Sequence, residues 1–332
     1  MKEFSSTVSV VRNLMSDSKQ SEVNIILMKT LLAIPNKEQV KYLEQMVAHI
    51  EAMSVKPDKV LYLQDRPSAR EMVDCRKILS GNSLIEQVVV RDQPEHMGHP
   101  QMVYGEYHFL TGHVREVAID YMVKNGYDII VFIDGDCLPE PDLIKDHAAI
   151  LGTAVGAAVT IGQRKEYMHG WVDQRMTNTS KMEIFFKEPT EVKNEGYFVD
   201  SGVVWTCNFG MNAAAVTHLR RLNQLLYSRY ETFHSDFLGT WGGEDGFIGM
   251  ECFYPGLPVY ALPIGDNGIK HQYHDRCSAK YQHVSFISFL EAHREQLIFL
   301  LNLYKVNPEP IEFIPRSEIL VKFGLVETED PS

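Results

Sequence analysis

The chain has 332 residues, of which 45% are hydrophobic, 10% aromatic and 23% charged, a composition that supports a sizeable core and excludes collagenous, coiled-coil and wholly disordered classes. Thirty-two basic against 44 acidic side chains leave a net charge of −12, so the surface as a whole repels phosphate backbones and does not suit a general nucleic-acid coat. Five scattered cysteines with no CxxC pair speak against a disulfide framework or a structural zinc site and fit a reducing compartment. The start lacks a signal-peptide apolar segment, and no apolar run reaches the roughly 18 residues of a membrane span; the expectation is a cytoplasmic protein without a membrane partner.

In chain order, residues 23–28 (VNIILM) read as a buried strand, and 36–52 as a helix, with apolar residues at Val40, Leu43, Met46, Val47 and Ile50. A second strand is expected over 59–63 (KVLYL), a helix over 67–79 and a third strand over 86–90. A loop rich in His, Pro and Gly follows at 92–105. A helix over 111–124 stops at Asn125-Gly126 and leads into a fourth strand, 128–133 (DIIVFI). Strands alternating with helices predict an α/β chain with a mostly parallel sheet covered on both faces. Ligands bind beyond the carboxyl ends of such strands. The second half reads as a strand at 157–161, a long polar, mobile loop at 163–200, a strand at 202–207, a helix at 213–227 and an amphipathic helix at 286–304.

Three strings carry chemistry. In Phe132-Ile133-Asp134-Gly135-Asp136-Cys137 a buried strand runs out into two carboxylates. The expectation is that Gly135 permits a tight turn, so both acids face one point and offer hard ligands to Mn²⁺ or Mg²⁺; solvated acids in a turn are the plainer alternative. In Trp241-Gly242-Gly243-Glu244-Asp245 the acids suit a helix start, either as simple complements of its dipole or as a general base and a hydroxyl acceptor, with Trp241 as a stacking wall for a sugar. In His271-Gln272-Tyr273-His274 two imidazoles three apart could complete a cation site begun by Asp134 and Asp136. A catalytic zinc is the rival use, but the string is not HExxH.

FIDGDCLP, WTCNFGMN (205–212), WGGEDGFIGMECFYPG (241–256) and the late HxxH occur in that order. Together they resemble a GT-A (Rossmann-like) glycosyltransferase, by motif of the chondroitin-polymerase or β-1,4-galactosyltransferase type. The resemblance runs over about 23–280. It implies a tail (1–21), a catalytic domain (22–285) with a nucleotide-binding half (22–140) and an acceptor and metal half (141–285), and a C-terminal helix and tail (286–332). It implies Asp136 as principal metal ligand with His274 opposite and His271 third, and Asp134 at the donor ribose or a metal-bound water. Arg115 lies on the helix that leads to the DxD strand. Asp65 is matched to an acid that contacts uracil, with Arg66 near the diphosphate; an Asp65–Arg66 pair that merely stabilises a turn is the alternative. Trp241 and Gly243 fall at the donor, Glu244 on sugar hydroxyls, and Asp245 as the base of an inverting transfer from a UDP-sugar to a hydroxyl.

The acceptor is open at this level: a glycan, a small molecule, a protein, or a hydroxymethylated DNA base as in phage-type DNA glycosyltransferases. Residues 161–230 hold nine Lys/Arg against seven Asp/Glu, a local excess that is slight support for a polyanion. Two other functions share parts of the pattern. A non-catalytic nucleotide-sugar or carbohydrate-binding module would keep the acids without turnover. A nucleotidyltransferase would share the DxD but not the WGGED and HxxH.

Overall fold

The computed structural model describes residues 28–36, 39–91, 102–103, 106–107, 111–167, 171–172, 206–234, 244–253, 257–262, 266 and 268–272. The strands are β1 (Thr30–Asn36), β2 (Lys59–Asp65), β3 (Ile85–Val90), β4 (Met102–Val103), β5 (Glu106–Tyr107), β6 (Ile129–Ile133), β7 (Cys137–Pro139), β8 (Val159–Ile161), β9 (Arg164–Tyr167), β10 (Trp171–Val172), β11 (Asn208–Asn212), β12 (Val259–Ala261) and β13 (Ile269–His271). The helices are α1 (Leu43–Glu51), preceded by a 3-10 turn, α2 (Ala69–Ile78), α3 (Thr111–Asn125), α4 (Leu143–Thr153), α5 (Ala213–Tyr227) and α6 (Glu244–Phe253).

Seven strands form one sheet in the order β12-β8-β11-β6-β1-β2-β3. All are parallel except β11, which runs against both neighbours. β1 and β6 are buried at every position, the near-continuous apolar pattern of strands covered on both faces. Alternate residues serve the two faces. Leu31, Ala33, Leu61, Leu63, Ile130 and Phe132 pack with α3, α5 and α6. Leu32, Ile34, Val60, Tyr62, Ile129 and Val131 pack with α1, α2 and α4. The result is a three-layer α/β/α arrangement, as the alternation of periods predicts.

A second, four-stranded sheet, β10-β9-β13-β7, adjoins the end of β6. Its β13 pairs antiparallel with β7, setting His271 opposite Cys137. The same strand pairs parallel with β9, setting Ile269 opposite Arg164.

Four expectations need correction. The first described strand is Thr30–Asn36 and not 23–28: Met28 lies in a bend, and 23–27 fall outside the described residues. Pro35 is tolerated in β1 because it sits beyond Ala33, where pairing with β6 has ended, so its missing N–H costs that ladder nothing. The stretch 202–207 is not a strand where it is described; Thr206 and Cys207 form a turn and the strand is Asn208–Asn212. The region read as a loop over 163–200 contains β9 and β10, and the loop read at 92–105 contributes β4 to a small antiparallel pair with β5. The helix expected at 286–304 lies outside the described residues.

Candidate active site

Asn36, Asp65 and Asp134 stand at or just beyond the carboxyl ends of β1, β2 and β6, the edge where such sheets bind ligands. β11 begins at the same edge, because Asn208 is opposite Ile133. Thr206 and Cys207, just before it, therefore lie beside the aspartates.

Gly135 acts through space and not through a left-handed turn. A Cβ there would come within 2.5 Å of Asn36 Oδ1, and the Gly135 N–H donates to Pro35 O at 2.9 Å. Only glycine lets the DGD backbone approach the end of β1 this closely. The Asn36 side chain pressed against it is 1% exposed, and among the described residues neither of its polar atoms has a hydrogen-bond partner. A buried amide left in that state costs about 1–3 kcal/mol, so it stands ready for a polar ligand.

Asp134 Oδ1 accepts from Arg115 Nη2 at 2.9 Å. Arg115 is 2% exposed, and its guanidinium lies 6.0 Å from the Phe233 ring. Phe233 in turn packs edge-on to Phe132 at 5.3 Å. Glu116, the next residue of α3, fixes this layer by accepting from the Thr232 and Phe233 N–H groups at 2.8 and 2.9 Å and from Arg220. Burial pushes the Asp134 carboxyl above its ordinary value; Arg115 opposes this, Asp136 and Asp245 add to it, and Arg164 opposes it. Those four side chains thus act on one carboxylate although the chain separates Arg115 from Asp245 by 130 positions (245 − 115).

Asp136 is 1% exposed. Its Oδ2 lies 3.4 Å from His271 Nε2, and its Oδ1 accepts from the Cys137 thiol at 3.3 Å. The Gln272 N–H also donates to the Asp136 carbonyl at 2.7 Å, so the β7–β13 pairing extends to the end of the DxD. Asp245 is the second residue of α6. Its Oδ1 accepts both the backbone N–H of Thr206, at 3.1 Å, and the Thr206 hydroxyl.

The structure therefore brings Arg115, Asp134, Asp136, Asp245 and His271 together. Asp65 and Arg66 are two strands away on the same edge. Arg66 Nε and Nη2 donate to the two Asp65 carboxylate oxygens at 2.8 and 2.9 Å, the pair anticipated as a turn brace, and Arg66 adopts a positive φ of 44°. Glu244 opens α6. Trp241, Gly243, His274 and the side chain of Glu244 lie outside the described residues. Four residues escaped sequence reasoning: Asn36 as an unpartnered amide, Arg164 as a charge facing Asp134, Thr206 as the holder of Asp245, and Cys137 as a neighbour of both aspartates. Only Arg164, next to the end of β8, carried a signal that could have been used.

Behind the site, His147 is fully buried. Its Nε2 faces Asn208 Oδ1 at 2.8 Å and its Nδ1 faces the Thr160 hydroxyl at 2.6 Å, while Asn208 Nδ2 donates to Gln163 O at 2.9 Å. One donor and one acceptor partner suit the neutral ring, and burial lowers its pKa to about 4. A Cβ on Gly210 would fall 2.5 Å from the Thr160 hydroxyl oxygen and 2.6 Å from His147 Nδ1. The glycine in the middle of β11 thus makes room for the network that anchors the start of that strand.

Two carboxylates and an imidazole are donors suited to Mn²⁺ or Mg²⁺, and the buried, unsatisfied Asn36 beside them fits a site that takes a polar ligand. The oxygens of Asp134 and Asp136 and the Cys137 sulfur all lie within 4.8 Å of one another. Among the described residues no helix is long and apolar enough to cross a membrane.

No protein-family model matches the chain, and no curated protein matches it. Solved structures do. S. aureus TarS 1–349 in complex with UDP-GlcNAc matches with a TM-score of 0.55 at 12% identity, over 89% of this chain and 76% of that one. GalNAc-T7 with UDP, GalNAc and Mn²⁺ matches with a TM-score of 0.56 at 12% identity, over 90% of this chain; the chain spans about half of that protein, 54%. At such identities the likeness is one of architecture, and it shows that the chain has the GT-A fold.

Proposed function

We propose that the protein is a metal-dependent glycosyltransferase of the chondroitin-polymerase or β-1,4-galactosyltransferase type. On this reading it moves a sugar from a UDP-sugar to a hydroxyl acceptor, with inversion. The observation that carries the reading is the meeting of Asp134 and Asp136, Asp245 and His271 at one sheet edge, drawn from three distant segments. The UDP-GlcNAc bound to TarS and the UDP and Mn²⁺ bound to GalNAc-T7, which share the fold, support the donor and cation class.

In this reading Asp136 and His271 hold Mn²⁺ or Mg²⁺, with His274 as a further ligand. Asp134, paired with Arg115, meets the ribose or a metal-bound water. The cation, when bound, neutralises charge on the departing diphosphate. Asp65 and Arg66 take the base and diphosphate ends of the nucleotide, Trp241, Gly243 and Glu244 take the sugar, and Asn36 adds an amide at the floor.

Asp245 is the base. For inversion a carboxylate must remove the acceptor proton as the hydroxyl attacks the anomeric carbon. The two Thr206 donors on Oδ1 hold Asp245 at the rim, so Oδ2 is the oxygen offered to the acceptor. A panel of nucleotide-sugars with Mn²⁺, scored for thermal stabilisation and then for donor hydrolysis, tests the proposal. A UDP-sugar that stabilises the protein and is slowly hydrolysed is the expected result. Stabilisation by every nucleotide alike, or turnover unaffected by chelator, would contradict it.

A further inference from the structure

Cys137 is an unusual neighbour for a hard-cation site. It is buried, its thiol donates to Asp136 Oδ1 at 3.3 Å, and its sulfur closes on the oxygens of Asp134 and Asp136 to within 4.8 Å. Ligand atoms around one ion at 2.0–2.3 Å are separated by roughly 3.3–4.4 Å, so the three donors stand close to the spacing that one ion requires. A second observation lies beside it: the buried Asn36 amide, with neither polar atom hydrogen-bonded among the described residues, sits against Gly135, the residue between the two aspartates.

Resting on the reading of Asp134 and Asp136 as a metal site, we propose that the Cys137 thiolate joins them in binding a thiophilic divalent cation, of the cobalt, zinc or cadmium type, in competition with manganese. As the metal–sulfur bond forms, the S–H bond breaks and its proton leaves to buffer, one per ion bound. Soft sulfur selects such ions over Mn²⁺ and Mg²⁺. The protein would then be inhibited by, or tuned to, the supply of these ions, with Cys137 setting the selectivity.

The test is a Co²⁺ titration of the full chain with UDP present, followed in the near ultraviolet for the thiolate-to-cobalt charge-transfer band. The expected result is a band that saturates at one equivalent, is erased by excess Mn²⁺, persists in Cys207→Ser and is lost in Cys137→Ser. The Co²⁺-over-Mn²⁺ preference should fall by about tenfold or more in Cys137→Ser. Wild-type protein alone gives a second readout, the release of one proton on Co²⁺ binding and none on Mn²⁺ binding. A band retained in Cys137→Ser, or Co²⁺ bound without a band or proton release, would overturn the assignment of Cys137. If Mn²⁺ still binds through Asp136 in that case, the metal-site reading stands and only the thiol falls. If neither ion binds, both fall.

Discussion

Asp245 receives both donors of Thr206 on one oxygen, and its charge reaches Asp134. If it is the base, Asp245→Asn should lower turnover by about 10²–10⁴-fold with donor binding little changed; turnover and the anomeric configuration of product measure this. Near-normal turnover would remove Asp245 from the mechanism. At the same scale, the sequence reveals acids and imidazoles more readily than their supports. Asp134 and Asp136 stand out because the two acids follow a buried strand, and His271 because it is one of two His three apart. Thr206 and Asn36 are ordinary residues in sequence. They matter because β11 starts where β6 ends and because Gly135 lets Asn36 approach, facts of tertiary placement that no local pattern encodes.

Among the elements, α5 shows how one side chain can secure a helix and a strand end together. Asn212 Oδ1 accepts from Ala215 N–H at 2.9 Å as the helix cap and from Ala158 N–H at 3.2 Å, and its Nδ2 donates to Gly156 O at 2.8 Å. Asn212→Ala should therefore cost about 2 kcal/mol, the upper end for a lost cap, read from the urea midpoint. A change within a few tenths would mean that neighbouring groups replace it. The first four parallel strands and their helices were legible from periodicity, and their boundaries shifted by at most two residues, apart from β1 and the first helix, which starts at Leu43 and not at 36 because Asn36 ends β1 and a 3-10 turn intervenes. β11 was misplaced for physical reasons. Val203, Val204 and Trp205 carry strand propensity, whereas NFGMN is polar and glycine-rich. It becomes a buried strand because Asn208 bonds to His147 and Gln163 O, and because Gly210 clears space for His147.

Across the whole molecule, His147 links stability to pH. Burial holds its folded pKa at about 4, below the ordinary histidine value of 6.5. The unfolded chain therefore binds the extra proton first, and the neutral-ring contribution is complete above pH 6.5 and lost as pH falls toward 4. The full shift is worth up to about 3 kcal/mol. Urea unfolding of wild type and His147→Phe at pH 7 and pH 4.5 isolates it. The variant should be less stable at pH 7, since Asn208 and Thr160 lose their partner, and should lose less on acidification. Equal slopes would show that the ring is not buried neutral.

The same global placement, a parallel sheet whose carboxyl edge meets a second small sheet, brings segments some 135 residues apart (271 − 136) into one site. That joint cation site is the claim on which the functional reading rests. Electron paramagnetic resonance of free Mn²⁺ with added protein and UDP tests it most directly. Wild-type protein should remove the free-ion signal only when UDP is present, and Asp136→Asn and His271→Ala should each weaken that binding by about tenfold or more. Undiminished Mn²⁺ binding in both variants would contradict the account.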